Sequence, residues 1–230
     1  MQEEAAFRHF IEHLCSRAQV DSFDLARSTG KLQLRLESES LTRKLDEKEQ
    51  LFLYLKMRYS GEDIGLLLLF LMNFVELESG ESISIKPGTL HAYLHGNIVE
   101  CMAASDNVVR AGFTHKHKDV NTLIEILDCS MSKPEIFTSL PNAAQIDYPK
   151  FCDDFSLSQM VIHEGLSWEF KGNHAANIFY VLKGKIEVRY EINGEEIKED
   201  YQKSHCIFVP AGLKSLKITA KEKATIFHAR

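Results

Sequence analysis

A chain of 230 residues, 44% apolar and 26% charged, is long enough to bury a substantial core in one or two domains. Its formal charge of -6, with no basic patch standing out, argues against nucleic acid as a partner. The same charge leaves room for a local arginine or lysine pocket that takes a phosphate.

Five scattered cysteines (Cys15, Cys101, Cys129, Cys152, Cys206) form no CxxC, so neither a zinc ribbon nor a disulfide framework is indicated. A reducing, cytoplasmic setting is expected. The start, MQEEAAFRHF, is acidic and lacks the basic flank and apolar core of a signal peptide. The most apolar run, Leu66 to Val75, is interrupted by Asn73 and is too short for a membrane span; it reads as a buried helix.

Residues 1–58 read as helical. Phe7, Phe10, Ile11 and Leu14 recur at three- and four-residue spacing, and Leu45, Leu51, Phe52, Tyr54 and Leu55 resume the stripe after a polar stretch at Ser38 to Ser40. Ser60-Gly61-Glu62-Asp63 then offers capping groups ahead of the run Ile64 to Phe74. From Val75 the period shortens. Ile83, Ile85 and Ile98 among Gly80, Pro87, Gly88 and Gly96 predict short strands and turns. Thr122 to Leu127 predicts a short helix, and Ser130 to Tyr148, with Pro134 and Pro141, a linker. The remainder predicts strands over 155–162, 168–170, 178–182, 186–192, 206–209 and 216–218. Gly184 supplies a turn and Asn193-Gly194 a hairpin signal. Many short strands at even spacing suggest a sandwich or a jelly-roll barrel.

Chemistry-bearing residues cluster in residues 87–120, PGTLHAYLHGNIVECMAASDNVVRAGFTHKHKDV. His91 follows a Pro-Gly turn with Tyr93 on the same face. It can serve as a metal ligand or as a hydrogen-bonded structural residue. Tyr93 can wall a pocket and donate a hydrogen bond, or pack in a core. Glu100 in the apolar run IVECM must be paired or functional. Arg110 can make a surface salt bridge or steady a developing oxyanion. Lys116 can attract an anion. Asp106 and Asp119 read as turn-fixing residues. His115-Lys116-His117 is formally an H-x-H metal pattern and is otherwise an exposed basic loop. His9 and His13 lie one helical turn apart without the glutamate of HExxH. His163, His174, His205 and His228 have no metal-like spacing.

The 87–120 run resembles the active-site region of type I mannose-6-phosphate isomerases, two-cupin zinc enzymes. The resemblance covers most of the chain, most specifically residues 60–130, and corresponds to the C-terminal part of a longer enzyme. It implies a mainly β fold with an N-terminal helical segment and cupin-type jelly-roll barrels. Residues 1–59 would be the helical domain, 60–145 a catalytic-type cupin half and 146–230 a C-terminal cupin-like barrel. It further implies interconversion of mannose 6-phosphate and fructose 6-phosphate, on the way to GDP-mannose, with His91 on zinc (Zn2+) and Arg110 of VRAG catalytic. Tyr93, Glu100 and Lys116 would bind the sugar-phosphate substrate. Two departures stand out. The chain reads RAGFTHKH where the family generally reads RAGLTPK, and Ser215 in PAGLKS stands where a second barrel would place a histidine. The family's zinc is completed by a Gln-x-His pair and a glutamate, and no Gln-x-His occurs here, so those ligands are expected upstream of this chain. The alternative is a catalytically inactive, truncated cupin paralogue that binds sugar phosphate or a partner protein.

Overall fold

The structure, a computed structural model, describes residues 2–59, 61–105, 107–130, 133–140 and 143–230. Ser60, Asp106 and Pro141, assigned above to a capping break, a turn and a linker, lie outside these. The chain forms two compact units. The first comprises residues 1–77, 83–96 and 106–135, and the second residues 78–82, 97–105 and 136–230.

The first unit is helical, as the apolar stripe predicts: α1 (Gln2–Val20), α2 (Ser22–Glu39) and α3 (Glu47–Arg58). The starts of α2 and α3 each have a chemical cause. Asp21 accepts from the Asp24 amide at 2.9 Å, and Asp46 and Glu49 form a reciprocal capping box ahead of α3. Ile11 and Cys15 of α1 pack with Leu25 of α2 in one buried cluster. Leu36, Leu45, Phe52, Leu55, Leu66 and Leu69 make a second, each such side chain worth about 1.5–3 kcal/mol on burial. The apolar run after Asp63 gives only one short helix, α4 (Gly65–Leu68), which tightens into a 3-10 turn at Leu69–Leu71 before Met72 leaves on extended backbone. The last helix, α5 (Val120–Ile126), falls where predicted.

Of Ile83, Ile85 and Ile98, expected in short strands, Ile83 falls in two-residue β1 (Ser82–Ile83); β2 (Ile136–Phe137) lies further on, and the described residues 84–119 contain no helix or strand. The pattern there suits extended backbone, but a strand is defined by a ladder partner, and none of the described residues supplies one. Of the expected fold, N-terminal helices followed by antiparallel sheets are present, and no closed barrel forms among the described residues. Antiparallel sheet is concentrated in the second unit.

That unit is built from β3 (Gln145–Asp147), β4 (Leu157–Ile162), β5 (Ser167–Lys171), β6 (Asn177–Lys183), β7 (Lys185–Ile192), β8 (Glu195–Gln202), β9 (Cys206–Val209), β10 (Ser215–Ala220) and β11 (Ala224–Ala229). They form a four-stranded sheet, β5-β10-β7-β8, and a five-stranded sheet, β3-β4-β11-β6-β9. The two sheets share one core. Alternation of buried and open positions along β4 and β10 turns Met160, Ile162, Leu216 and Ile218 inward. These join Phe170, Phe179, Val181, Val188 and Ile226 in a common cluster. The predicted Asn-Gly turn is present: Asn193 and Gly194 both have positive φ (53° and 85°) and pair Ile192 with Glu195.

Candidate functional site

Four of the five residues singled out in the sequence, His91, Tyr93, Arg110 and Lys116, fall in the first unit. The segment carrying His91 is braced on the end of α5. The Asp128 amide donates to the Gly88 carbonyl at 2.9 Å, and Gly88 has φ +82° with the Ile126 carbonyl where a Cβ would project, so only glycine fits. Helix α5 is fixed at both ends. Asp119 accepts from the Thr122 amide at 3.1 Å and from its hydroxyl at 2.7 Å. These bonds hold the Asp119 carboxyl below the usual carboxylate range, the backbone bond first. At the other end Arg8 donates to the carbonyls of Ile124 (2.9 Å) and Leu127 (2.6 Å), satisfying groups a helix terminus leaves open. The sequence reading missed Arg8 because its partners lie more than a hundred residues away.

On this brace His91 is exposed, and its Nδ1 lies 2.8 Å from the Thr89 carbonyl. A carbonyl only accepts, so Nδ1 carries the proton and Nε2 keeps its lone pair, the nitrogen a metal would take. Tyr93 meets it edge-on with ring centroids 5.9 Å apart and is 57% exposed. His91 and Tyr93 therefore share one open face.

Arg110 lies on a second braced segment. It is half-buried, and its Nη1 donates to the Val108 carbonyl at 3.4 Å, a long bond that restrains the guanidinium weakly. Three residues on, the Phe113 amide donates to both oxygens of Asp63, at 3.0 and 2.9 Å. The Asp63 carboxylate also accepts from the Gly65 amide at 2.8 Å; it stands one residue ahead of the N-cap, Ile64, which makes no side-chain cap bond of the kind expected from this break. Lys116 is exposed, with its amide donating to the Thr114 hydroxyl at 3.1 Å. His115 and His117 are exposed as well.

Glu100 falls in the second unit and is exposed. Its carboxylate is not buried among apolar neighbours, so the desolvation argument for it does not apply. Among the described residues, no group of three or more His, Cys, Asp or Glu side chains is arranged to hold a metal ion. A catalytic zinc needs about three protein ligands. His91 fits one position, and the described side chains do not complete the site. A shallow depression of about 640 Å³ lined by Arg43, Lys44, Asp46 and Phe74 contains none of the candidate residues. No described helix is long and apolar enough to cross a membrane.

Ser215 opens β10 at an exposed position paired with Lys171. Ser215→Ala should shift stability by no more than about 0.5 kcal/mol and leave any response to sugar phosphate unchanged. Thermal unfolding with and without mannose 6-phosphate checks this, and a lost ligand response at unchanged stability would move the site to the second unit.

No protein-family model matches the chain. Curated relatives do. Mannose-6-phosphate isomerase 2 of Arabidopsis thaliana is 37% identical over 187 residues, 80% of this chain and 41% of that protein. Mannose-6-phosphate isomerase 1 of the same plant is 34% identical over 194 residues, covering 84% and 44%. The mannose-6-phosphate isomerase of Macaca fascicularis is 34% identical over 188 residues, covering 78% and 44%. Among solved structures, the Salmonella typhimurium mannose 6-phosphate isomerase bound to fructose 6-phosphate and zinc superposes with a TM-score of 0.70 at 22% identity, covering 96% of this chain and 54% of that one. A zinc-bound holo form gives 0.71 at 22% identity, covering 97% and 54%. At that identity the superpositions establish the fold alone: helices followed by antiparallel sheets. Over most of its length the chain is homologous to type I mannose-6-phosphate isomerases, and it spans less than half the length of the curated relatives just described.

Proposed function

We propose that this chain carries the histidine- and arginine-bearing part of an aldose–ketose isomerase site acting on mannose 6-phosphate and fructose 6-phosphate. The observation that carries the reading is the pair of braced segments in one unit. One holds His91 with Nε2 available, and the other holds Arg110 on a main chain fixed by Asp63. Homology to mannose-6-phosphate isomerases supplies the substrate class.

The reaction moves a proton between carbons one and two while negative charge grows on a sugar oxygen. On this reading Arg110 steadies that charge with a planar, multi-donor fork. Lys116 attracts the phosphate as a mobile point charge, and Tyr93 offers a hydroxyl and an aromatic edge to the sugar. Glu100 lies in the second unit, and a part for it in binding the substrate is a proposal of its own. In the family's chemistry a zinc ion would polarise the sugar oxygens, with His91 as one ligand.

A second reading has its own support: among the described residues no group of three or more His, Cys, Asp or Glu side chains could hold a metal, and one imidazole does not make a zinc site. On that reading the protein binds sugar phosphate without converting it. The deciding experiment incubates the 230-residue protein with mannose 6-phosphate and zinc and follows fructose 6-phosphate through a coupled reductase. Formation that disappears in Arg110→Ala supports the isomerase, and calorimetric binding without product supports the second reading. Neither binding nor product defeats both. Elemental analysis of the purified protein should find zinc well below one per chain. One tightly held zinc would redirect attention to His115 and His117.

A further inference from the structure

We propose that Asp63 is a positioning residue for Arg110. Its buried carboxylate ties the Arg110-Ala111-Gly112-Phe113 segment to the start of α4 and so fixes where the guanidinium meets a sugar phosphate. The functional half of this statement rests on the reading of Arg110 given above; the structural half does not.

Asp63 is 5% exposed, which is unusual for a carboxylate and requires partners. Its partners are specific. Besides accepting from the Gly65 amide at the start of α4, it receives the Phe113 amide from fifty residues away on both oxygens, and the Lys118 ammonium lies 3.9 Å from Oδ2. The local bond to Gly65 does not require the grip on Phe113, which is additional. The backbone at residue 112 is drawn in so closely that a Cβ there would lie 2.5 Å from Asp63 Oδ1 and 2.7 Å from the Gly65 nitrogen. Glycine is thus required at the residue between Ala111 and the gripped amide.

The next residue, Phe113, holds φ +53°, a left-handed conformation that is costly for a side chain of this size and persists only when its surroundings enforce it. Two restraints do so. Asp63 holds the amide, while the ring packs on Tyr59 with centroids 5.0 Å apart and joins the Leu36–Phe52 cluster. The segment ending in Arg110 is therefore pinned within three residues of the guanidinium-bearing position. Among the described residues the Arg110 side chain makes one hydrogen bond, the 3.4 Å bond to the Val108 carbonyl. Position is inherited from the main chain, and the main chain takes it from Asp63.

The test uses the whole 230-residue protein as wild type, Asp63→Asn, Asp63→Ala and Gly112→Ala. Asparagine can keep an oxygen towards both amides while losing the charge that faces Lys118. Without ligand, exchange of the Phe113 amide should stay within about fivefold of wild type in Asp63→Asn. It should accelerate about 10- to 100-fold in Asp63→Ala. The amides around Phe52 should remain protected throughout. The NMR order parameter of the Arg110 Nε–H should fall below about 0.6 in Asp63→Ala and hold its wild-type value in Asp63→Asn. Gly112→Ala, which leaves the carboxylate in place but fills its approach, should reproduce the alanine result and stands in if Asp63→Ala does not fold.

If the protein isomerises mannose 6-phosphate, Asp63→Ala should lower turnover about tenfold with little change in KM. It should cost nothing further in an Arg110→Ala background, as expected for residues that act as a unit. Equal losses in both backgrounds would overturn the proposal and leave Asp63 a stability residue. If the wild-type protein neither binds nor converts the sugar, the functional reading fails. The order parameter still decides this inference: an Arg110 Nε–H as rigid in Asp63→Ala and Gly112→Ala as in wild type overturns it.

Discussion

In a complete isomerase containing this segment, Arg110→Ala is expected to lower turnover of mannose 6-phosphate by about 100- to 1000-fold, the usual scale for losing one preorganised donor to a developing oxyanion. The Michaelis constant should move much less. Charge on the sugar oxygen grows only as the proton leaves carbon, so an arginine aimed there acts on the transition state and hardly on the bound substrate. The phosphate is meanwhile left to Lys116, which is exposed and free to follow it. Arg110→Lys should recover only part of the loss, because a single ammonium cannot reproduce a planar fork with several donors. Steady-state kinetics of the three proteins checks the pattern. Intact turnover with a raised Michaelis constant would reassign Arg110 to holding the phosphate. Variants indistinguishable from wild type would return it to the surface.

The helices were legible because their cause is local. Ile11, Phe52 and Leu55 sit on a stripe that any amphipathic reading finds, and all three are buried. Phe10 and Tyr54, assigned to the same stripe, are 51% and 53% exposed, since a stripe fixes a face only to within a residue or so. Among the strands, β9 matches its expected span, with Pro210 closing it. The second strand of the predicted hairpin does not. The Asn-Gly turn implies a strand on either side, but β8, EEIKEDYQ, is an edge strand whose charges obey no inward–outward rule, and it was not read. β11 was missed as well: the stretch ATIFHA contains a histidine that looks like surface and is 2% exposed.

The site divided along the same line. His91 and Arg110 could be picked out because a turn and a motif lie beside them in the chain. Asp63 and Arg8 could not be linked to them, because the bonds that brace those segments cross 50 to 119 residues and leave no periodic trace. The strands expected around Glu100 failed for a related reason. Alternation records which residues tolerate extended backbone, but not whether a neighbouring strand is present to pair with them.

His228 should make the second unit acid-labile well above the pH at which carboxylates protonate. Its ring stacks on Phe179 with centroids 4.2 Å apart and planes 10° from parallel, with Trp168 and Phe170 edge-on around it. Nε2 lies 2.8 Å from Asn177 Oδ1. The Asn177 amide group donates to the Ala175 carbonyl and to Asn173 Oδ1, so its orientation is set and Nε2 must be the donor. Burial first, then nearby Arg230, with Asp147 opposing both, push the pKa of this imidazole down to about 4. The folded protein therefore keeps His228 neutral where the unfolded chain, with an ordinary value near 6.5, takes a proton. Stability should be constant from this group above pH 6.5, fall as pH drops from 6.5 towards 4, and level off below. The loss over that window is roughly 3 kcal/mol, from about 1.4 kcal/mol per pH unit. His228→Phe removes the titration and fills the same aromatic nest, while Asn177 Oδ1 keeps the Asn173 amide at 3.2 Å. The variant should be about 1 kcal/mol less stable than wild type at pH 7 for want of one hydrogen bond. It should overtake wild type by pH 4.5, a crossing that urea unfolding at the two pH values reads directly. Parallel stability curves for the two proteins between pH 7 and pH 4 would mean that the imidazole is protonated inside the folded sheet pair, and that burial does not govern it.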